Sequence, residues 1–209
     1  RKVALSSGRK VIFYNRDKFS SHKLQVPGRH NALNAEAAWQ AARTFGVKKF
    51  IADRALAEYK GAWRRLEKLK IENCPSVLSS GSKEKLKIGK PEVYSDYAHH
   101  PTEIKATLQA LHEKHPKQKI VCVFQPHQAD RLTRLFSDFA GAFKDADKLI
   151  LLPVYKPKGR EALKNEKTSE DLLRAARHQC KIYCGSYAEL AGHLGRYNKN
   201  HVIVFMSAG

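Results

Sequence analysis

KIVCVF at Lys119–Phe124 and KLILLPV at Lys148–Val154 are two short runs, apolar at nearly every position and rich in aliphatic side chains. Such runs read as strands buried on both faces, the kind that a parallel sheet uses. Working outward, segments of helical period flank them. Pro101–His115 places Ile104, Leu108 and Leu111 on one stripe, and Asp130–Phe143 predicts a second helix. Upstream, Glu92–Tyr97 reads as a strand. Downstream, Ser169–His178 and Tyr187–Tyr197 read as helices, Lys181–Cys184 and Val202–Met206 as strands. This alternation predicts an α/β fold: a mostly parallel sheet with helices on both faces. In such sheets ligands sit beyond the carboxyl ends of strands, which here are Asp96–His100, Gln125–Arg131, Tyr155–Arg160 and Ser207–Gly209.

The amino-terminal stretch reads differently. Val3–Leu5, Lys10–Tyr14 and Leu24–Val26 are short strand candidates, then Pro27-Gly28 punctuates before helices at Asn31–Phe45 and Ile51–Tyr59. This is too little for a complete domain. A junction is expected at Gly61–Arg65, followed by a hairpin-like lead over Lys68–Ile88 with Ser79-Ser80-Gly81-Ser82 at its turn.

Composition bounds the function. An apolar share of 42% and a charged share of 28% are those of a globular protein, and no run of about 18 apolar residues offers a membrane span. The four cysteines, Cys74, Cys122, Cys180 and Cys184, show no CxxC spacing and are expected to be reduced thiols in a cytoplasmic protein. Cys180 and Cys184 with His178 make a poor zinc set, because they crowd one strand-like segment, and no metal site is expected. The formal net charge of +19 asks for an acidic partner, whether nucleic acid, an anionic surface or a phosphate-bearing small molecule. Its even spread along the chain equally suits a solvated basic surface.

Three stretches gather chemistry. In VPGRHNALNA (Val26–Ala35), Asn31 and Asn34 lie three apart at a helix start, suited to a nucleotide, an amide being able to donate to and accept from a purine edge. The bland alternative is that Asn31 caps the helix and Asn34 is solvated. In Tyr94–Ile104, Asp96, Tyr97, His99 and His100 crowd a strand end, where Asp96 can accept from a ribose and His99 can bind a carboxylate or phosphate. A buried, hydrogen-bonded histidine is the alternative there. Gln125–Arg131 follows the next strand and is expected beside the previous segment; Arg131 is its best carboxylate clamp, in a first helical turn where a cation needs an anion nearby, the alternative being an ordinary surface arginine.

Taken together, VPGRHNALNA, GAWRRLE (Gly61–Glu67), DYAHHPTEI (Asp96–Ile104) and FQPH (Phe124–His127) followed by Arg131 resemble, in order and spacing, the later half of the Mur ligases. DYAHHPTEI with FQPH is most similar to the member that adds L-alanine. The resemblance implies a Rossmann-like carboxyl-terminal domain over 64–209, preceded at 1–63 by the end of the central ATP-binding domain. It implies peptidoglycan-precursor synthesis: ATP, assisted by Mg2+, phosphorylates the carboxylate of UDP-N-acetylmuramate, and the amine of L-alanine attacks the acyl phosphate. By the same resemblance Asn31 and Asn34 border ATP, with Asn34 nearest the adenine. Arg65 and Asp96 meet the nucleotide, while Tyr97, His99, His127 and Arg131 face the amino acid and acyl group. No GxxxxGK[ST] loop occurs, so the chain is expected to be inactive without the missing amino-terminal and central domains. Ser95 stands where many of the family carry an acidic residue, and Gln128 where some carry a second arginine. Two other readings stay open: another Mur-type amino-acid or peptide ligase, and a basic α/β nucleic-acid-binding module. The second explains the charge but not the asparagine and histidine motifs.

Overall fold

The computed structural model describes residues 23–70, 90–155 and 165–207. The strands expected at Val3–Leu5 and Lys10–Tyr14, the hairpin over Lys68–Ile88 for all but its first residues, and most of Tyr155–Arg160 lie outside them. The chain divides into two compact units, one ending at Lys60 and one beginning at Gly61.

In the first unit, helices α1 (Arg29–Thr44) and α2 (Lys49–Glu58) are described. Gly28, at φ 98°, occupies the cap position of α1, a backbone conformation that glycine alone reaches without strain. The helix therefore starts two residues before the expected Asn31. Trp39, Ala35 and Glu36 of α1 and Ala52 of α2 are buried, and Gln25 Nε2 donates to Ala57 O at 2.8 Å.

The second unit is the expected α/β sheet. Its strands are β1 (Glu67–Lys68), β2 (Glu92–Asp96), β3 (Lys119–Phe124), β4 (Lys148–Leu151), β5 (Lys181–Tyr183) and β6 (His201–Met206), in the order β1-β2-β6-β3-β4-β5. All neighbours are parallel except β1 with β2. The final strand β6 thus inserts between β2 and β3, pairing Val204 with both Tyr94 and Cys122. The expectation that the ends of β2 and β3 are immediate neighbours is corrected: β6 separates them. Periodicity names strands but not their lateral order, and parallel crossovers let a strand from the chain end take the central place.

Strand alternation assigns two cores. Tyr94, Cys122, Phe124, Leu149, Leu151, Val202, Val204 and Met206 point to one face. There they meet Ile104, Leu108 and Leu111 of α3 (Pro101–Lys114), Leu132 of α4 (Ala129–Arg134), Phe139 of α5 (Phe136–Ala140) and Leu172 of α6 (Ser169–Ala175). Val93, Val121, Val123, Ile150 and Ile203 point to the other, against Leu190 of α7 (Tyr187–Leu194). The single helix expected over Asp130–Phe143 is two short ones, parted at Leu135, whose φ −109° and ψ 24° leave the helical region. Beyond the break, Phe139 and Phe143 pack on Phe124 with ring centres 5.8 and 5.3 Å away.

α6 opens with a reciprocal cap: Thr168 Oγ1 accepts from the Asp171 amide at 3.1 Å while Asp171 Oδ2 accepts from the Thr168 amide at 2.9 Å. Thr168→Ala is expected to lower unfolding free energy by about 1 kcal/mol, read as a shifted urea midpoint at unchanged slope.

Candidate functional site

The parallel strands bring their carboxyl ends to one rim, and the residues there are positioned by an inward-facing carboxylate. Asp96 ends β2 and is 3% exposed. Its Oδ1 accepts from the Ala98 amide and its Oδ2 from the Leu66 amide, each at 2.7 Å. The Leu66 bond draws in the segment before β1, where Arg64 and Leu66 both hold φ 51°, a left-handed conformation costly for such side chains. Tyr97 N–H donates to Arg64 O at 2.7 Å and closes the same loop. Sequence expectation gave Asp96 an outward bond to a ribose; in the structure both carboxylate oxygens are engaged by backbone amides, and the group orders two loops.

That ordering gathers three of the expected residues, Arg65, Tyr97 and His99. The Arg64 and Arg65 guanidinium carbons lie 5.5 and 5.6 Å from the Tyr97 ring centre, within cation–π range. Tyr97 meets His99 edge to face at 5.0 Å. His99 Nδ1 lies 2.9 Å from Tyr97 O, which assigns a proton to that nitrogen and leaves Nε2 for a ligand. Glu103, in the first turn of α3, links the set: it accepts from the His99 amide at 3.2 Å and pairs with Arg65 at 3.3 Å. Burial alone would raise its carboxyl, but the His99 amide, the His99 ring and Arg65 together hold it below the ordinary carboxylate range. Glu103 and Arg64 were missed as site residues. The i,i+4 spacing of His99 and Glu103 was a usable signal, whereas the Arg64 contacts depend on a left-handed backbone that no pattern announces.

Across β6, Ser207 joins this set to the next. Its amide donates to Asp96 O at 3.2 Å, its hydroxyl to Gln125 Oε1 at 3.4 Å, and its carbonyl accepts from the Arg64 guanidinium. Beyond β3, His127 bridges to Tyr155 in parallel register and stacks on its ring at 5.2 Å with 19° between planes. Gln128 turns the chain at φ 69° and donates its amide to Tyr155 O at 3.3 Å. Arg131 follows in the first turn of α4, half-buried, and among the described residues no hydrogen bond or ion pair engages its guanidinium. The rim therefore holds Arg65, Tyr97 and His99 in one contact set and His127 in a second. Arg131 belongs to neither by direct contact.

In the first unit, Asn31 is not the cap residue. It sits in the first turn of α1 and its Nδ2 donates back to Pro27 O at 2.7 Å, while Asn34 is exposed one turn on.

Comparison with known proteins places this geometry. The family described as "Mur ligase, glutamate ligase domain" matches residues 84–209, more than half the chain. UDP-N-acetylmuramate–L-alanine ligase of Bdellovibrio bacteriovorus is 36% identical over 187 residues, covering 89% of this chain and 37% of the relative. That of Fusobacterium nucleatum is 34% identical over 206 residues, 96% of this chain and 42% of the relative. The crystal structure of UDP-N-acetylmuramate–alanine ligase from Thermotoga maritima superposes with a TM-score of 0.61 at 26% identity, over 89% of this chain and 36% of that one. The chain thus spans about two fifths of the length of the curated relatives it matches. With a matching family profile across the whole β2–β6 sheet and this level of identity over nearly all of its residues, the chain belongs to the Mur ligase family.

Proposed function

We propose that this chain is the carboxyl-terminal part of an ATP-dependent ligase that joins L-alanine to UDP-N-acetylmuramate through an acyl phosphate. The observation that carries the reading is identity of 36% and 34% with L-alanine ligases over 89% and 96% of the chain. In this reading the chain's own contribution is orientation. His99, steadied by Tyr97 O and Glu103, and Arg131, with no ion-pair partner among the described residues, receive the carboxylate of the amino acid, since a guanidinium fork binds a carboxylate by two parallel bonds. The amine is then directed at the acyl carbon, and holding two reactants in register accounts for much of such an enzyme's rate. Tyr97 and the stacked His127 wall the acyl group. Arg65, fixed by Glu103, meets the nucleotide, and Asp96 acts on it through the loops it holds.

The reaction also implies magnesium. The ion needs carboxylate oxygens facing outward, and near Tyr97, His99 and Arg131 the described carboxylates are Asp96, bound to two amides, Glu103, bound to His99 and Arg65, and Asp130, paired with Arg134 at 2.8 Å. These residues do not fit the ion. We assign the ion and the phosphate-binding loop to the length of the relatives that this chain does not span. We read the first unit as the end of an ATP-binding domain, a reading that rests on the asparagine motif. The cytoplasm is the compartment this chemistry implies, and no helix among the described residues is long and apolar enough to cross a membrane.

Asn34 supplies a test of the nucleotide assignment. In the complete ligase, Asn34→Ala is expected to raise the KM for ATP by roughly three- to tenfold, the loss of one modest hydrogen bond, with little change in that for L-alanine. The opposite ranking in steady-state kinetics would assign the helix to the other substrate.

A further inference from the structure

At the far end of the same rim, beyond β5, lies a group of side chains that the ligase reading does not use. Cys184 follows β5, while Glu189 and His193 are four apart on α7 and so share one face of the helix. One sulfur, one carboxylate oxygen and one imidazole nitrogen there all lie within 4.8 Å of one another. We infer that Cys184, Glu189 and His193 form a binding site for a divalent transition metal ion, zinc by the chemistry of its ligands.

Thiolate, imidazole and carboxylate together are ligands of zinc rather than of magnesium or calcium, which take oxygen alone. Three protein ligands with an exposed Glu189 leave a fourth, solvent-side position for water. Cys184, Cys180 and His178 do not come together as a ligand group among the described residues: Cys180 is exposed, and His178 Nε2 is held by Ala146 O at 2.8 Å.

Cys184 also packs, fully buried, in the core that Leu190 closes, but core packing accounts for neither the Glu189 carboxylate nor the His193 ring beside its sulfur. Glu189 Oε2 accepts from the Gly185 amide at 2.8 Å, a helix-start bond, yet a carboxylate has about four acceptor positions and this bond also fixes its orientation. The His193 ring, half-buried in the last turn of α7, has no hydrogen bond or ion pair to any described residue; the His193 backbone carbonyl is engaged by the Arg196 amide at 3.4 Å. Burial and the Glu189 charge push the Cys184 thiol up, Lys148 opposing them in part, so without metal the sulfur keeps its proton. Metal binding forms the sulfur–metal bond as the S–H bond breaks, and the proton passes to solvent. One thiolate and one carboxylate then balance the 2+ charge, leaving Lys148 the one neighbouring cation identified.

The test is calorimetric titration of the chelator-stripped protein with Zn2+, repeated with Co2+ to read thiolate coordination by its charge-transfer absorption. About one metal per chain, a thiolate–cobalt band and a Tm raised by zinc are expected. His193→Gln and Glu189→Gln, both on accessible α7 side chains, should each weaken binding by at least about tenfold with unchanged circular dichroism. Cys180→Ser should leave binding intact. Absence of binding, a cobalt complex without the thiolate band, binding undiminished by His193→Gln, or binding lost in Cys180→Ser would each overturn the site.

Discussion

Asp96→Ala is expected to lower unfolding free energy by about 2–5 kcal/mol, because it leaves two buried amide donors without an acceptor, at roughly 1–3 kcal/mol each. The amides of Leu66 and Ala98 lie on opposite sides of its carboxylate, one before β1 and one after β2. Removing it also frees Arg64 and Leu66 from the contacts that hold their left-handed backbone. Asp96→Asn should fall about midway, since one amide oxygen can still accept while its NH2 group faces a second donor. Urea unfolding reads the stability, and activity in the complete ligase should drop further than stability does, because Arg65 and Tyr97 ride on the loosened loops. A loss below about 1 kcal/mol for the alanine variant would mean that Asp96 is not the anchor of this rim.

Arg131→Ala carries the second large effect, and it falls on function. A charge-assisted bond to the amino-acid carboxylate contributes on the order of 1.5–3 kcal/mol, which corresponds to roughly a ten- to hundredfold loss in kcat/KM for L-alanine. Stability should hardly move, because no hydrogen bond or ion pair engages the Arg131 guanidinium among the described residues, and its backbone bond to the Leu135 amide survives the substitution. The KM for ATP should also stay close to its starting value. Steady-state kinetics with both substrates varied distinguishes the outcomes: an unchanged constant for L-alanine, or a loss confined to ATP, removes Arg131 from the amino-acid site.

These two residues mark where sequence was readable and where it was not. KIVCVF, KLIL and HVIVFM declared themselves as buried strands because a sheet covered on both faces leaves no polar alternation. The stripe of Ile104, Leu108 and Leu111 declared α3 in the same way. Lateral order was not legible, since nothing in β6 itself says that it will part β2 from β3. Nor was the direction of the Asp96 side chain: a carboxylate at a strand end looks the same in sequence whether it faces a ligand or two amides. Arg131 remains a proposal: the sequence offers a cation in what reads as a first helical turn, but the helix there is six residues long and Arg131 falls equally in its last turn, where a cation is at home. Glu103 went unread although His99 lies four residues away, because its other partner, Arg65, meets it only once β1 pairs with β2.

The charge of +19 bears on the competing nucleic-acid reading. A field of that size binds polyanions at low salt whatever the protein does, so such binding discriminates nothing unless it persists at physiological salt. The chemistry itself is the sharper discriminator. The complete ligase carrying this sequence, supplied with ATP, Mg2+, UDP-N-acetylmuramate and L-alanine, is the measurement to make, with the product identified by mass spectrometry. ATP-dependent formation of the UDP-N-acetylmuramoyl–L-alanine amide, with stoichiometric release of ADP and phosphate, is the result predicted; absence of that amide under conditions where ATP is bound would contradict the account.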